Sequence, residues 1–217
     1  MPENRLLLKY AEEAEYRTLD GYKKRGGYLA LEKALGMERQ AVIDEVKASG
    51  LRGRGGAGFP AWIKWNGIPK NWDEPHYVLC NCDEGEPGTF KDRELMLKTP
   101  HQIIESMIIG GYATMSKVGY IYIRGEFIES AQAMKTAIDE VYKAGYLGKN
   151  IMDKGFDFDL FIHMGAGSYE CGEESALMNS LQGERGMPRL KFPHAPLPTV
   201  GGLWEKPTLI NNAESFS

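Results

Sequence analysis

Three short stretches of this chain concentrate residue types that grip nucleotides. The first, GLRGRGGAGFP (residues 50–60), holds five glycines and two arginines, with G-x-G-x-x-G at Gly53, Gly55 and Gly58. Glycines let backbone N–H groups approach a ligand closely. Arg52, Arg54 and Lys64 add fixed positive charge, so the stretch suits a phosphate or the edge of a ring. A surface loop with solvated arginines fits the same letters equally well. A dinucleotide-binding loop follows a strand. Here a helical stripe of Val42, Ile43 and Val46 comes first, and Gly50 suits a C-cap. The Rossmann fingerprint therefore matches by count and fails by context.

The second stretch, CNCDEGEPGTFKDRE, sets Asn81, Asp83, Glu84 and Glu86 at the end of HYVLCN (76–81), which reads as a short buried strand. Ligands of open α/β sheets bind at that edge, and an Asn offers both donor and acceptor to a heteroaromatic ring. The plainer alternative is an Asx- and Gly-rich turn; a carboxylate cation site lacks the EF-hand spacing. The third stretch, HMGAGSYECGEESALMNSL, places Gly165, Gly167, Tyr169, Gly172 and the acids Glu173 and Glu174 in a strand–loop–helix context. Acids at a helix N-terminus pair with its dipole. Beside a glycine loop and a tyrosine they also suit ribose hydroxyls or a carboxamide. No G-K-[ST] follows, which argues against phosphoryl transfer.

Positioning these stretches takes alternating elements. Strands are expected at 76–81, 119–127 and 158–165, and helices at 91–98, from Pro100 to about 115, at 128–145 and at 173–183. That order implies an α/β domain with a largely parallel sheet. Residues 1–37 read as a charged N-terminal segment, helical in patches, 38–200 as the α/β domain, and 201–217 as an extended tail.

The composition is that of an ordinary globular protein: 42% hydrophobic, 26% charged, net charge −4 with both signs interspersed. Nothing points to nucleic acid or to direct membrane insertion. Three cysteines without repeated spacing argue for a reduced compartment, with the cytoplasm as default. They make buried small residues more readily than an iron–sulfur cluster, which takes four thiolates. The four histidines show no metal-ligand spacing, and no metal is expected.

Taken together, GLRGRGGAGFP…KW, NCDEGEPGTFKDRE, RGEF, GAGSYECGEESALMNSLQGERGMPRLK and GLWEKPTLINNAE resemble, in order, the NADH-binding flavoprotein subunit of respiratory complex I. They are also similar to diaphorase subunits of NAD-dependent hydrogenases and formate dehydrogenases. The resemblance runs from about residue 20 to the last and implies a three-layer, Rossmann-like α/β domain that binds FMN. It implies hydride transfer from NADH to FMN, then one-electron transfer to iron–sulfur clusters of partner subunits.

Carried onto this sequence, it places Gly53, Arg54, Gly55 and Lys64 along FMN and its phosphate, and Asn81, Asp83 and Glu84 against the isoalloxazine and ribityl groups. Asn211 and Asn212 would meet the phosphate end. Tyr169, Gly172, Glu173 and Glu174 would line the flavin–nicotinamide cavity. Phe59 would flank the adenine, Glu86 would bind nucleotide, and Lys191 would lie near the dinucleotide, so that Phe59, Lys64, Glu86, Tyr169, Glu174 and Lys191 are the NADH-facing set.

Further implications are a thioredoxin-like [2Fe–2S] subunit and other peripheral-arm subunits as partners, on the cytoplasmic face of the inner membrane. The family continues into a ubiquitin-like domain and a helical bundle holding a [4Fe–4S] cluster, whose ligand region is absent from this sequence. Four positions depart from the pattern. Gly67 stands where a large apolar residue is common, FPHAPLPTVGG replaces a shorter turn, Cys82 stands for alanine, and Glu205 for glycine. These departures and the missing half leave open a non-catalytic assembly subunit as well as a hydrogenase or formate dehydrogenase diaphorase.

Overall fold

A computed structural model describes residues 5–70, 74–190 and 197–217. The chain begins with helices α1 (Leu19–Lys24), α2 (Leu29–Leu35), α3 (Arg39–Ala48) and α4 (Ala61–Asn66), then enters strand β1 (Tyr77–Cys82). Next come α5 (Lys91–Lys98), α6 (Pro100–Ala113), β2 (Val118–Ile123), α7 (Ile128–Lys143) and β3 (Asp159–Met164). The last elements are α8 (Glu174–Leu181), α9 (Pro198–Gly201), β4 (Thr208–Asn212) and α10 (Ala213–Phe216). The expected strands and helices are all present, with ends moved by a few residues. Thr208–Asn212, inside the stretch expected as an extended tail, is a fourth strand.

The sheet is wholly parallel in the order β3-β2-β1-β4. Parallel strands need covered faces, and their alternation supplies them. Val78, Cys80 and Cys82 face a large core built with α5, α6 and α7, while Leu79, Tyr122 and Ile210 face a smaller one with Leu177 and Met178 of α8. The result is helix, sheet, helix. Cys80 and Cys82 are fully buried with Sγ atoms 3.5 Å apart, so Cys82 serves as a small packing residue. Phe158 wedges between Gly111 of α6 and Gly119 of β2. A Cβ on either glycine would lie 2.5 or 2.7 Å from its ring, well inside contact distance, so the helix can close on the sheet only without one.

Chain direction decides where the site forms. From β1 the chain steps outward through β2 to β3, then returns to pair β4 on the opposite side of β1. Between the C-terminal ends of β1 and β4 the order reverses, and at such a reversal the flanking loops diverge and leave a crevice.

The N-terminal helices join the same core. Tyr16, Tyr22, Tyr28 and Leu31 are buried in it, and Glu105 of α6, only 5% exposed, fixes them. Its carboxylate accepts from Tyr22 Oη at 2.6 Å, Tyr28 N at 3.0 Å and Leu31 N at 2.9 Å.

Trp204 and Glu205 lie in the left-handed region, at φ +48° and +60°. That conformation favours glycine, the residue that the resemblance leads us to expect at position 205. Glu205→Gly is expected to stabilise the fold by about 1 kcal/mol, a rise of roughly 2–4 °C in Tm, read by thermal unfolding. Gly67 caps α4, where an added Cβ would meet Ile63 O at 3.2 Å and Thr199 Cγ2 at 3.4 Å. No described helix is long and apolar enough to cross a membrane.

Candidate functional site

Asn81 and Asn212, the last residues paired between β1 and β4, stand on either side of the reversal. Asn81 Nδ2 donates to Gly172 O at 2.8 Å and its Oδ1 accepts from Asp83 N at 3.0 Å. The Asx turn weighed as an alternative is therefore present, and it also ties β1 to the third stretch. Asn212 is a hub. Its Nδ2 donates to Asp92 Oδ2 at 2.7 Å and Asn81 O at 3.2 Å, and its Oδ1 accepts from Lys91 Nζ at 3.0 Å and Glu214 N at 3.1 Å.

Glu84 turns its carboxylate to the start of α5, accepting from Asp92 N at 3.1 Å and Arg93 N at 3.2 Å. The helix dipole favours a negative charge there. The first stretch is held as a tight loop, with Gly53 N donating to Phe59 O at 2.8 Å and Arg52 Nε to Gly58 O at 2.7 Å. Arg54 N donates to Ser215 Oγ at 2.9 Å, which ties the loop to α10 directly after β4. Gly55 lies so close that its Cβ would sit 3.2 Å from Asn212 Cβ, and Gly56 takes φ +123°.

In the third stretch Glu173 caps α8, accepting from Ser175 N at 2.9 Å and Ala176 N at 3.0 Å. Tyr169, 60% exposed, donates to Glu86 Oε2 at 2.6 Å, and its ring covers Gly85. This hydrogen bond favours the protonated phenol and raises the Tyr169 pKa.

Between these loops lies a cavity of ≈ 540 Å³, the size of a site for a small cofactor. Its wall carries the cations Arg54 and Lys91 and the glycines Gly55 and Gly56, the acids Asp83, Glu84, Glu86, Asp92, Glu170 and Glu173, and the ring of Tyr169. Asn81 and Asn212 stand side by side on it. Asp83 is 9% exposed, and among the described residues neither carboxylate oxygen has a hydrogen-bond partner. Burial pushes its pKa up to about 6, against the pull of Arg124 and with the push of Glu126. An orphaned acceptor on a cavity wall is what a bound molecule with N–H or O–H groups would satisfy.

Residues 46–217 match the family described as the Nuo51 FMN-binding domain. The chain belongs to this family. It is 50% identical over 212 residues to an NADH-quinone oxidoreductase subunit of Aquifex aeolicus, covering 98% of this chain and 49% of that one. The corresponding Escherichia coli protein is 51% identical over 202 residues, covering 91% and 44%. The chain spans about half the length of these relatives. Among solved structures, NAD+-reducing [NiFe]-hydrogenase in the H2-reduced state superposes with a TM-score of 0.78 at 32% identity, covering 99% of this chain and 34% of that one.

Within this member of the family, the cavity wall brings together residues from all three stretches. Arg54 and Gly55 come from the first, Asn81, Asp83, Glu84 and Glu86 from the second. Tyr169, Gly172 and Glu173 come from the third, and Asn212 from β4. Other expected residues lie off that wall. Lys64 of α4 pairs with Glu174 at 3.2 Å and donates to Ile210 O at 3.3 Å, bracing α8 and β4 behind it. Gly53 sits at the base of its loop, and Phe59 is 45% exposed. Asn211, 6% exposed, turns toward Trp65, whose Nε1 donates to its side-chain oxygen at 3.0 Å. Lys191 and His194 lie outside the described residues.

Sequence reasoning missed Gly56, Gly85, Thr89, Lys91, Asp92 and Glu170 on the wall. Lys91 was the most legible of these, because it opens the helix expected at 91 directly after the acidic turn. Lys91 Nζ reaches Asp92 Oδ1 at 2.7 Å and Glu214 Oε2 at 3.3 Å, partners that raise its pKa against the effect of burial. Among the described residues no cluster of His, Cys, Asp or Glu could hold a metal ion.

Proposed function

We propose that this chain is the FMN- and NADH-binding part of an NADH dehydrogenase flavoprotein subunit. The observation that carries the reading is the cavity at the strand reversal, whose wall holds Arg54, Lys91, Gly55 and Gly56 together with Asn81 and the unpartnered Asp83. FMN has an anionic phosphate at one end and a flat ring with polar edges at the other. Arg54, Lys91 and the N–H groups of Gly55 and Gly56 would hold the phosphate. Asn81 and the unpartnered Asp83 would meet the ring edge.

Bound FMN would supply the redox chemistry, hydride acceptance from NADH and one-electron release. The protein's part is orientation and exclusion of water. Tyr169 and Glu86, joined across the mouth, would flank the nicotinamide, and Phe59 and Lys191 would attend the adenine half. Lys64 and Glu174 would keep α4, α8 and β4 in register behind them. The receiving iron–sulfur clusters belong to partners, among them a [2Fe–2S] subunit, in an assembly at the cytoplasmic face of a membrane. A [4Fe–4S] cluster would lie in the half of the relatives that this chain does not span.

A diaphorase of a hydrogenase shares this chemistry and differs in partners, and the likeness to the NAD+-reducing hydrogenase favours it as the second reading. Titration of added FMN, followed by quenching of its fluorescence, tests the cavity. Saturation at one FMN per chain supports the reading, and absence of quenching removes it.

A further inference from the structure

The turn after β2 holds the cation that faces the orphaned carboxylate. Arg124 Nη1 donates to Glu84 O at 2.7 Å, while Nε and Nη2 form a fork on Glu126 at 3.0 Å each. The fork is locked from outside. Any side chain on Gly167 would lie 3.2 Å from the Glu126 oxygens, and one on Gly125 would lie 2.5 Å from Gly165 O. Arg124 thus fixes the peptide next to Asp83 and faces Asp83 electrostatically, with part of its charge drawn off by Glu126.

Among the described residues, Arg124 is the cation that acts on Asp83. Tyr122 on β2 interacts with it, and Glu84 and Glu86 share its turn. Tyr169, Glu170, Glu173, Arg54 and Lys91 line the same cavity, with Lys91 held by Asp92 and Glu214.

We propose that Asp83 is the proton-accepting group that balances charge when the cavity's cofactor is reduced, and that Arg124, tensioned by Glu126, is the positioning residue that sets its proton affinity. The inference rests on the reading that the cavity holds FMN. A hydride from NADH brings two electrons and one proton, adding one negative charge to the cavity. Asp83 then takes one proton from solvent, carboxylate to carboxylic acid, and the net charge returns to its starting value. Neither oxygen has a hydrogen-bond partner among the described residues, and burial already brings the group to about 6, within reach of neutral pH.

The test is a pH titration of the visible spectrum of FMN bound to the full chain, oxidised and after reduction by NADH. The wild type is expected to show an inflection at about pH 6 or above when oxidised, and a higher one when reduced. Arg124→Gln removes the lowering charge and is expected to move the inflection up by about one pH unit, tenfold in proton affinity. Arg124→Lys restores it in part. Glu126→Gln frees Arg124 and moves the inflection down. Opposite signs from two partners of one ion pair are not what simple loosening of the turn produces.

Asp83→Asn is expected to abolish the inflection. If that variant takes up no FMN, the Arg124 and Glu126 pair carries the test with the carboxylate intact. A wild type that binds FMN with no inflection, or Gln variants that shift the same way, overturns the inference and leaves the cavity reading standing. Failure of the wild type to bind FMN overturns both.

Discussion

Asn212→Ala is expected to lower the affinity for FMN by on the order of 100-fold, equivalent to about 2.7 kcal/mol. Asn212 satisfies four groups at once: Asp92, the Asn81 carbonyl, Lys91 and the Glu214 amide. Asp92 is 2% exposed, and burial already raises its pKa. Losing the amide donor leaves that carboxylate to Lys91 and draws the ammonium toward it, away from a bound phosphate. A hydrogen bond to a charged group contributes roughly 1.5–3 kcal/mol, and the lost cap on α10 about 1 kcal/mol more. Part of this destabilises the free protein and part is lost on binding, so the affinity effect is smaller than the sum. Fluorescence titration of FMN against the variant reads it. Unchanged affinity would mean that the phosphate lies elsewhere.

Glu105→Gln is expected to destabilise the fold by about 3 kcal/mol, a fall of roughly 6–12 °C in Tm. Glu105 receives three donors in the core. A carboxamide keeps one acceptor and turns an NH2 toward groups that also donate, leaving at least one buried donor unsatisfied. The contrast is Glu13, whose fork with Arg25 at 2.9 Å lies on the surface with both side chains nearly half exposed. Glu13→Gln is expected to change stability by less than about 1 kcal/mol. Equal effects in thermal unfolding would show that the Glu105 network does not fasten the N-terminal helices.

Much of the fold was legible because the strands and helices from Tyr77 to Leu181 carry their own periodicity. Helix α7, with Met134, Ile138 and Val141 on one face, needs no neighbour to be read. Strand β4 is different. Its five residues hold only Leu209 and Ile210 as a conspicuous apolar pair, followed by two asparagines, and it becomes a strand through pairing with β1. The N-terminal tyrosines were opaque for a related reason. Tyr16, Tyr22 and Tyr28 recur every six residues, a spacing off the 3.6-residue period of an α-helix, and reach the core through a 3-10 turn, a short helix and a left-handed cap.

At the site, residue types at the strand edge pointed to Asn81, Asp83, Glu84 and Glu86, which line the cavity, because strand ends and turns announce themselves. The cations were half hidden. Lys91 next to Asp92 reads as a solvated helix start until the fold sets both against Asn212. Glu84 shows the converse: chemistry was expected of a carboxylate that the structure uses to cap a helix.

The most direct measurement is anaerobic addition of NADH to the FMN-loaded protein, followed by visible absorbance. The expected result is loss of the oxidised flavin band in step with NADH, complete at one NADH per FMN. A bound flavin that NADH leaves oxidised, while dithionite bleaches it, would contradict the NADH dehydrogenase reading and leave a flavin-binding subunit without turnover.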